Sequence, residues 1–379
     1  MTDGNDIRID PEQLKKSVSL ALDEPAARLG EWQIKPLAGG LDASNNLHHL
    51  SGQAHTPSGA RPWSLVLKAI QFDEANPSSV QKIHDNKREA FFYQSRISDD
   101  LTGTFVAPRC YQVNQEGDLT LLWLEFVRED LPKPWTMEQY REVARCLGRF
   151  NGAYLTGRPL PDEPWLARRL QRTYVELAAQ NIQDLAELRK LPFFQSAFAN
   201  MSDDFFLEAW GRRGEFLDAL ERLPQTYCHQ DAFEGNLFWR NDPSGNGQLV
   251  GIDWSFTGIA AVGEELAALV SMAMPIPAED KMRLYEICLH GYLSGLAEAG
   301  YKADPLQVRF SSLTPIISRY LFGGILGELW NDMRDERNHP WMAAKFGLPS
   351  VQYLFDWQAA HNPFYQGVYQ EISRLLKEV

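Results

Sequence analysis

The sequence predicts an α+β protein with two lobes, a small antiparallel sheet followed by a larger and mostly helical part. Short apolar runs separated by turn formers dominate residues 1–127, whereas helical periodicity dominates residues 128–379. Where the two patterns meet, residues 128–135 are charged and contain two prolines, which is typical of a linker. We therefore expect a first lobe over residues 1–127 and a second lobe over residues 128–379.

Composition limits the class of protein. The 379 residues carry a formal net charge of −13 and are 44% apolar, which predicts globular cores and disfavours a nucleic-acid binder. The four cysteines are scattered without ligand spacing, so neither zinc nor a disulfide framework is indicated. The polar N-terminus lacks the features of a signal peptide, and no apolar run is long enough for a membrane span. We expect a cytoplasmic protein that does not bind membranes.

The first lobe begins with an amphipathic pattern over residues 10–30, which predicts a helix. Two strands are expected next, joined by a turn that contains Gly39, Gly40 and Ser44. Glycines let backbone N–H groups approach a phosphate, and a serine hydroxyl adds a donor. A glycine pair taken by itself is far more often just a hairpin turn.

The next strand and helix each carry a charged residue beside apolar neighbours. Residues 63–70 form an apolar run with one lysine, Lys68, and a predicted helix over residues 87–94 carries Glu89. Taken singly, a lysine on a strand or a glutamate on a helix is most simply a solvent-exposed residue. Their significance depends on whether the fold brings them together.

A hairpin completes the predicted sheet. Residues 105–113 and 119–127 are apolar runs, and the turn formers of residues 115–118 divide them. Together with the earlier strands they predict about five strands with one inserted helix.

The second lobe opens with a clear helix start. Thr136 and Gln139 form a capping box before an apolar stripe that extends to Tyr154. Residues 158–226 and 276–379 are helical by periodicity, and the latter is rich in aromatic and acidic residues. The simplest interpretation is solvated helix faces for the acidic residues and core positions for the aromatic ones, although such residues also suit a site for an amino-bearing small molecule.

Residues 228–254 carry the candidate chemistry. Two apolar runs flank the turn formers of residues 241–247, which predicts a β-hairpin with a long loop. An antiparallel hairpin brings the residue that enters one strand beside the residue that leaves the other, here Asn236 and Asp253. Their oxygens suit Mg²⁺, which takes few protein ligands together with substrate phosphates. Asp231 lies upstream on the same loop.

The spacing His229-x-Asp231-x4-Asn236, followed after a strand by Asp253, resembles the catalytic and metal-binding segments of kinase-like phosphotransferases. Protein kinases have an arginine where this chain has Gln230, and the tripeptide that begins at Asp253 departs from Asp-Phe-Gly. The sequence also has no long activation segment of the protein-kinase type. With these departures from protein kinases, the motifs resemble those of the aminoglycoside phosphotransferase and choline kinase-like family, whose members act on small molecules.

The resemblance implies a bilobal protein-kinase-like fold and ATP-dependent transfer of the γ-phosphoryl group to a small-molecule hydroxyl. It assigns Lys68, paired with Glu89, to the α- and β-phosphates of ATP. It assigns the glycine turn with Gly39, Gly40 and Ser44 to the same phosphates.

The same resemblance implies roles for the hinge and the catalytic segment. The Glu125 carbonyl and the Val127 N–H would hydrogen-bond adenine. Asp231 would orient the acceptor hydroxyl and take its proton, and Asn236 and Asp253 would hold Mg²⁺. His229 is expected to brace the loop by hydrogen bonding.

Three alternatives share parts of this pattern. A nucleotide-binding pseudokinase would keep the fold without turnover, although such proteins usually lack one of the key polar residues. A metal-dependent hydrolase built on His229, Asp231 and Asp253 would leave Lys68 without a role. A protein kinase agrees least with the motifs. The acceptor stays open among aminoglycoside-like antibiotics, amino alcohols and sugars, and the net negative charge favours a cationic one.

Overall fold

The structure, a computed structural model, describes residues 9–37, 45–71, 86–101, 103–241, 247–274, 276–345 and 348–379. The elements of the first lobe are α1 (Pro11–Leu22), β1 (Arg28–Pro36), β2 (Asn45–Thr56), β3 (Gly59–Gln71), α2 (Asn86–Gln94), α3 (Ile97–Asp100), β4 (Phe105–Val106), β5 (Cys110–Glu116) and β6 (Leu119–Glu125).

The second lobe is mostly helical, with two small β-structures around its loops. Its elements are α4 (Met137–Leu155), β7 (Ala167–Arg168), α5 (Leu170–Gln183), α6 (Leu185–Leu188), α7 (Pro192–Ala197), α8 (Asp203–Gly211), α9 (Arg213–Arg222), β8 (Gln225–Cys228), β9 (Leu237–Asn241), β10 (Gly247–Gly251), β11 (Gly258–Ala261), α10 (Glu265–Ser271), α11 (Lys281–Glu298), α12 (Pro305–Pro315), a π-helix (Ile316–Leu329), α13 (Trp330–Met333), α14 (His339–Lys345) and α15 (Val351–Leu375). Short 3₁₀ turns lie at Trp254–Phe256, Ala278–Asp280 and Glu336–Asn338.

The sheet of the first lobe is antiparallel and has the strand order β1-β2-β3-β6-β5, which confirms the predicted five strands. Side chains alternate between the two faces of a strand. Leu65, Leu67 and Ala69 of β3 are therefore buried together with residues of α1 on one face. Lys68 projects from the opposite face, where it meets α2 and the second lobe.

The helix predicted over residues 10–30 is shorter than expected. It ends at Leu22, because Asp23 adopts a left-handed backbone conformation with φ 50° and donates its N–H to the last turn. The chain then enters β1 at Arg28, so the second part of the amphipathic pattern belongs to a strand. An apolar spacing that fits both periodicities caused this error.

The apolar run of residues 105–113 is not one strand. Phe105 and Val106 pair in parallel with β10 of the second lobe, and β5 begins only at Cys110. Pro108 lies between the two parts and has no backbone N–H to donate, which separates them. The break allows this segment to contact both lobes.

Helix α4 is fixed at its start and along its length. The predicted capping box is confirmed, since Gln139 N–H donates to Thr136 Oγ1 at 3.3 Å and Thr136 N–H donates to Gln139 Oε1 at 2.7 Å. Further along, α4 packs tightly on α11, and a methyl group at Gly148 would overlap the carbonyl oxygen of Tyr292. This close approach holds Asn151 of α4 beside strand β8, which leads into the loop of Asp231.

The side chain and backbone of Asn151 hold strand β8 in place. Its Nδ2 donates to the Tyr227 carbonyl at 2.8 Å, and its Oδ1 accepts from the Tyr292 hydroxyl at 2.7 Å. Thr226 Oγ1 donates to the backbone carbonyl of Asn151 at 2.8 Å. Strand β8 is thereby anchored just before the loop that carries Asp231.

The predicted hairpin between β9 and β10 is present, with Leu249 opposite Trp239 in the register. Strand β8 pairs with β11 in a separate small sheet. A single large apolar core extends from the α2 side of the sheet through the second lobe to α15. Among the helices of the described ranges, none combines the length and the apolar character that a membrane span requires.

Candidate active site

Lys68 lies between two carboxylates where the lobes meet. Its Nζ is 2.5 Å from Glu89 Oε2 and 3.1 Å from Asp253 Oδ1. The side chains of Lys68 and Glu89 are 7% and 1% exposed, whereas that of Asp253 is 32% exposed. Burial lowers the pKa of Lys68, but the charges of Asp253 and Glu89 outweigh burial and hold this pKa above its usual value. The ammonium form is therefore retained, and the group opens towards solvent at Asp253.

Helix α2 is attached to the segment that carries Asp253. Phe92 stacks on Trp254 with ring centroids 4.4 Å apart, and Arg88 donates to the carbonyl oxygens of Trp165 and Ser255. Asp253 itself has a left-handed backbone with φ 59°, an uncommon conformation for a residue with a side chain. These contacts fix both the glutamate and the aspartate that meet Lys68.

Asp231 is held from both sides of its carboxylate. Oδ2 accepts from Asn236 Nδ2 at 2.7 Å, and Oδ1 accepts from Arg319 Nη2 at 2.6 Å. Burial raises the pKa of Asp231 to about 6, against the opposing effects of the Arg319 charge and of both hydrogen bonds. A clamped carboxylate of this kind is preorganised to accept a proton from a hydroxyl placed against it.

His229 braces the same loop. Its Nε2 lies 2.8 Å from the Ile252 carbonyl oxygen, and its Nδ1 accepts from the Asp231 N–H at 3.2 Å. Burial lowers the pKa of His229 to about 4, so the ring is neutral near pH 7. Both ring nitrogens are engaged with the backbone, which ties the loop of Asp231 to the end of β10.

Glu265, which sequence reasoning did not select, supports the loop of Asp231 through its backbone. Its carboxylate accepts from the backbone N–H groups of His229 and Gln230. Gln230 has a left-handed backbone with φ 64°, and these two bonds stabilise that turn. Burial raises the pKa of Glu265 to about 7. Its only sequence signal was an acidic residue at the start of an otherwise apolar helix.

Asn236 and Asp253 come together at the open end of the hairpin. The Ile252 N–H donates to the Asn236 carbonyl at 2.9 Å, so Asp253 is the next residue beyond the paired strands. Because the Asn236 amide nitrogen is used by Asp231, its Oδ1 and the exposed carboxylate of Asp253 are the oxygens that a Mg²⁺ ion would meet. Across the described ranges, no group of three or more His, Cys, Asp or Glu side chains is arranged to hold a metal ion.

The residues predicted at the nucleotide are partly described. Glu125 ends β6, where its N–H donates to the Arg109 carbonyl at 2.8 Å and its carboxylate lies 2.6 Å from Arg240. Val127 follows two residues after the strand, and the adenine contacts of both residues stay a prediction. The predicted phosphate contacts of Gly39, Gly40 and Ser44 lie outside the described residues.

Arg319 is the second residue that the sequence analysis missed. It lies in the π-helix, and its side chain is 8% exposed. Besides the ion pair with Asp231 it donates to the Gln230 carbonyl. The available signal was a lone cation within the apolar run of residues 316–322, since an unpaired charge is rarely buried.

Two solved structures share this fold over most of their length. The crystal structure of an aminoglycoside phosphotransferase from Alicyclobacillus acidocaldarius matches with a TM-score of 0.54 at 14% identity, covering 99% of this chain and 98% of that one. An ethanolamine kinase from Plasmodium vivax matches with a TM-score of 0.51 at 14% identity, covering 89% and 83%. The α+β, bilobal protein-kinase-like fold is thereby confirmed.

A family model gives the finer assignment. The model described as the phosphotransferase enzyme family matches residues 96–303, which is more than half of the chain. The chain belongs to this family, as the resemblance in its motifs predicted.

Two curated relatives match by sequence over part of their length. Choline/ethanolamine kinase of Rattus norvegicus is 24% identical over 241 residues, which is 61% of this chain and 52% of that protein. The Mus musculus protein of the same name is 23% identical over 246 residues with the same coverage. The chain thus spans about half the length of the curated relatives that it matches.

Proposed function

We propose that the protein is an ATP-dependent kinase that transfers the γ-phosphoryl group to a hydroxyl of a small molecule. One observation carries this proposal. The β9–β10 hairpin brings Asn236 and Asp253 together, Asp231 is bonded to Asn236, and Lys68 is paired with both Glu89 and Asp253. Membership of the phosphotransferase family and the choline/ethanolamine kinase names of the curated relatives support it.

Asp231 is the group placed to handle the acceptor. In the proposed step the acceptor oxygen attacks the γ-phosphorus, its proton passes to Asp231, and the bond between the γ-phosphorus and the leaving oxygen breaks to release ADP. Because Arg319 and Asn236 hold the carboxylate, Asp231 needs no reorientation when the hydroxyl arrives. Positioning of this kind is the main contribution of a protein to phosphoryl transfer.

Lys68 is the cation for the nucleotide phosphates. Glu89 fixes its ammonium group, and the exposed side of Asp253 marks where the phosphates approach. Asn236 and Asp253 would hold Mg²⁺, and when bound this ion offsets charge on the phosphate oxygens. Use of ATP agrees with the cytoplasmic location expected from the sequence.

The hydrolase alternative conflicts with the geometry of His229. A ligand histidine needs a free ring nitrogen, whereas Nε2 and Nδ1 of His229 both contact backbone groups. The neutral ring that results suits a structural brace between two loops.

Two measurements test the proposal. Isothermal titration with Mg-ATP should show saturable binding, and ADP release should then appear with some members of a library of hydroxyl-bearing metabolites and antibiotics. Binding without ADP release from any member would indicate the pseudokinase, and absence of Mg-ATP binding would overturn the proposal. Elemental analysis that finds a tightly bound transition metal would favour the hydrolase.

A further inference from the structure

Arg319 and Asp231 form a buried ion pair at the point where the proposed acceptor hydroxyl arrives. Their Nη2–Oδ1 distance is 2.6 Å, and Arg319 also donates to the carbonyl oxygen of Gln230. The arginine lies 88 residues from the aspartate in sequence. It reaches the catalytic loop because the π-helix that carries it packs against helix α5.

Three aromatic rings surround the guanidinium. Its Cζ lies 4.9 Å from the ring centroid of Tyr174, 4.8 Å from that of Phe256 and 5.2 Å from that of Tyr320. All three distances are within the range of a cation–π contact, which extends to about 6 Å. The rings come from α5, from the turn after Asp253 and from the π-helix itself. We call the rings of Tyr174, Phe256 and Tyr320 the aromatic cage.

An aromatic cage beside an acidic residue is the chemistry that proteins use for alkylammonium ligands. In this protein the cage already contains a cation that belongs to the chain. An ammonium group of an acceptor would meet the positive charge of Arg319 at close range, and it would have to displace a side chain that also pairs with Asp231. The charge on Arg319 therefore acts against a second cation in this place.

The groups next to the cage favour oxygen-rich ligands. Gln230, Arg319 and Tyr320 line one small cavity. Within the part of the chain that the structure describes, the buried Tyr320 hydroxyl and Gln230 Nε2 find no hydrogen-bond partner. Both groups can donate a hydrogen bond, so the oxygen atoms of a hydroxyl or carboxylate ligand would satisfy them.

We infer that Arg319 determines which class of acceptor the protein uses. Its guanidinium fills the aromatic cage beside Asp231, so the molecule that carries the acceptor hydroxyl is neutral or anionic and rich in oxygen. This inference rests on the proposed function and deepens it. It departs from the cationic acceptor that the net charge of the chain favoured, because the group paired with the proposed catalytic aspartate is itself a cation.

The occupancy of the cage is tested by binding, with tetramethylammonium chloride as the probe in isothermal titration. We expect the wild-type protein to bind it at least about tenfold more weakly than Arg319→Ala, in which the three rings are left open. Arg319→Lys keeps a cation in the cage and should resemble the wild type. Equal affinity of the wild type and Arg319→Ala, or no binding to a folded Arg319→Ala protein, would overturn the inference.

Arg309→Ala is the matched control for this experiment. Arg309 also lies over an aromatic ring, 5.4 Å from the centroid of Tyr285, but it pairs with Glu286 and Glu371 on the helices. Its removal should leave binding of tetramethylammonium as weak as in the wild type. Binding that matches Arg319→Ala would show that the effect is not specific to the cage, and it would overturn the inference.

A second measurement uses only the wild-type protein and applies even where Arg319→Ala does not fold. ADP release is compared for choline, ethanolamine and kanamycin against glycerol, ribose and glycerate. The inference expects kcat/KM at least about tenfold higher for the best neutral or anionic acceptor than for the best cationic one. The reverse preference overturns it while leaving the proposed kinase activity intact. Failure of Mg-ATP to bind overturns the proposed function and with it the acceptor class, and the titration with tetramethylammonium then still decides whether Arg319 fills the cage.

Discussion

The two sides of the site are built differently. On one side Lys68, Glu89 and Asp253 form what we call the lysine cluster, which contains one cation and two carboxylates on a strand, a helix and a loop. On the other side Asp231 is supported by four groups, three that bond to it directly and one that holds its loop, and together with it we call them the aspartate cluster. These four groups are His229, Asn236, Glu265 and Arg319.

The difference lies in where the support comes from. In the lysine cluster the charged groups support one another, and Lys68 and Glu89 lie on the faces that strand and helix periodicity dictate. In the aspartate cluster the reactive carboxylate depends on residues of α10 and of the π-helix. We therefore expect loss of Lys68 to affect stability as well as activity, and loss of Glu265, which supports Asp231 only through its loop, to affect mainly turnover.

The largest expected effect is at the centre of the aspartate cluster. Asp231→Ala should lower kcat by about 10²–10⁴-fold, because no group then accepts the hydroxyl proton. Mg-ATP affinity should stay nearly unchanged, since the lysine cluster is intact. Steady-state ADP release and isothermal titration measure the two quantities. Asp231→Asn, which keeps the shape of the side chain, is the control, and near wild-type turnover by either variant would refute the assignment.

The lysine cluster should respond in its folding energy. Lys68→Met leaves the carboxylate of Glu89 buried without its cation, and we expect the free energy of unfolding to fall by about 3–5 kcal/mol. The double variant Lys68→Met/Glu89→Leu removes both charges and should recover much of this loss. Both should weaken productive ATP binding. Urea denaturation followed by fluorescence measures the stability.

The control for Lys68→Met is the same substitution in an exposed ion pair. Lys190 lies 2.6 Å from Glu187, and both side chains are largely exposed. Exposed pairs contribute little, so Lys190→Met should change stability far less than Lys68→Met. A similar loss in the two variants, or no recovery in the double variant, would contradict the view that the lysine cluster supports itself.

The histidine of the aspartate cluster predicts a pH dependence of folding. Because the pKa of His229 is about 4 in the folded chain and near its usual value of about 6.5 when unfolded, the unfolded state binds the extra proton between these values. This contribution to stability is fully present above pH 6.5, and about 3 kcal/mol of it is lost as pH falls to 4. His229→Gln should flatten this decline, whereas the exposed His290→Gln should leave it unchanged. A decline in stability that is as steep in His229→Gln as in the wild type would contradict the prediction. The two proteins have to be compared because the raised pKa values of Asp231 and Glu265 act in the opposite direction in both.

The smallest expected effect concerns the support of the catalytic loop. Glu265→Gln exchanges one carboxylate oxygen for an amide that cannot accept from a backbone N–H, and the loop of Gln230 loses one of two bonds. We expect kcat to fall about tenfold with little change in Mg-ATP affinity, because Asp231 is displaced slightly. The neighbouring Glu264 bonds to Gln171 and to the Ala261 N–H, so Glu264→Gln is the control. Equal effects of the two variants would mean that the loop is not held by Glu265.

Sequence reasoning was most successful where short-range pattern decides structure. The turn formers and apolar runs predicted the β9–β10 hairpin, and the register of an antiparallel pair then placed Asn236 near Asp253. It failed where one pattern fits two structures, as in residues 10–30, and where a short segment pairs across the lobes, as Phe105 does with β10. The second error was unavoidable from pattern alone, because the partner strand is distant in sequence.

By itself the sequence determined the two lobes, the five-stranded sheet and the kinase-like order of polar residues. These follow from hydrophobic periodicity and from motif spacing, which act within a few residues. Only the tertiary structure decided that Arg319 and Glu265 support the loop of Asp231, because helix packing far along the chain places them there. A buried charge finds its partner through that packing, and local pattern carries no information about which partner it will be.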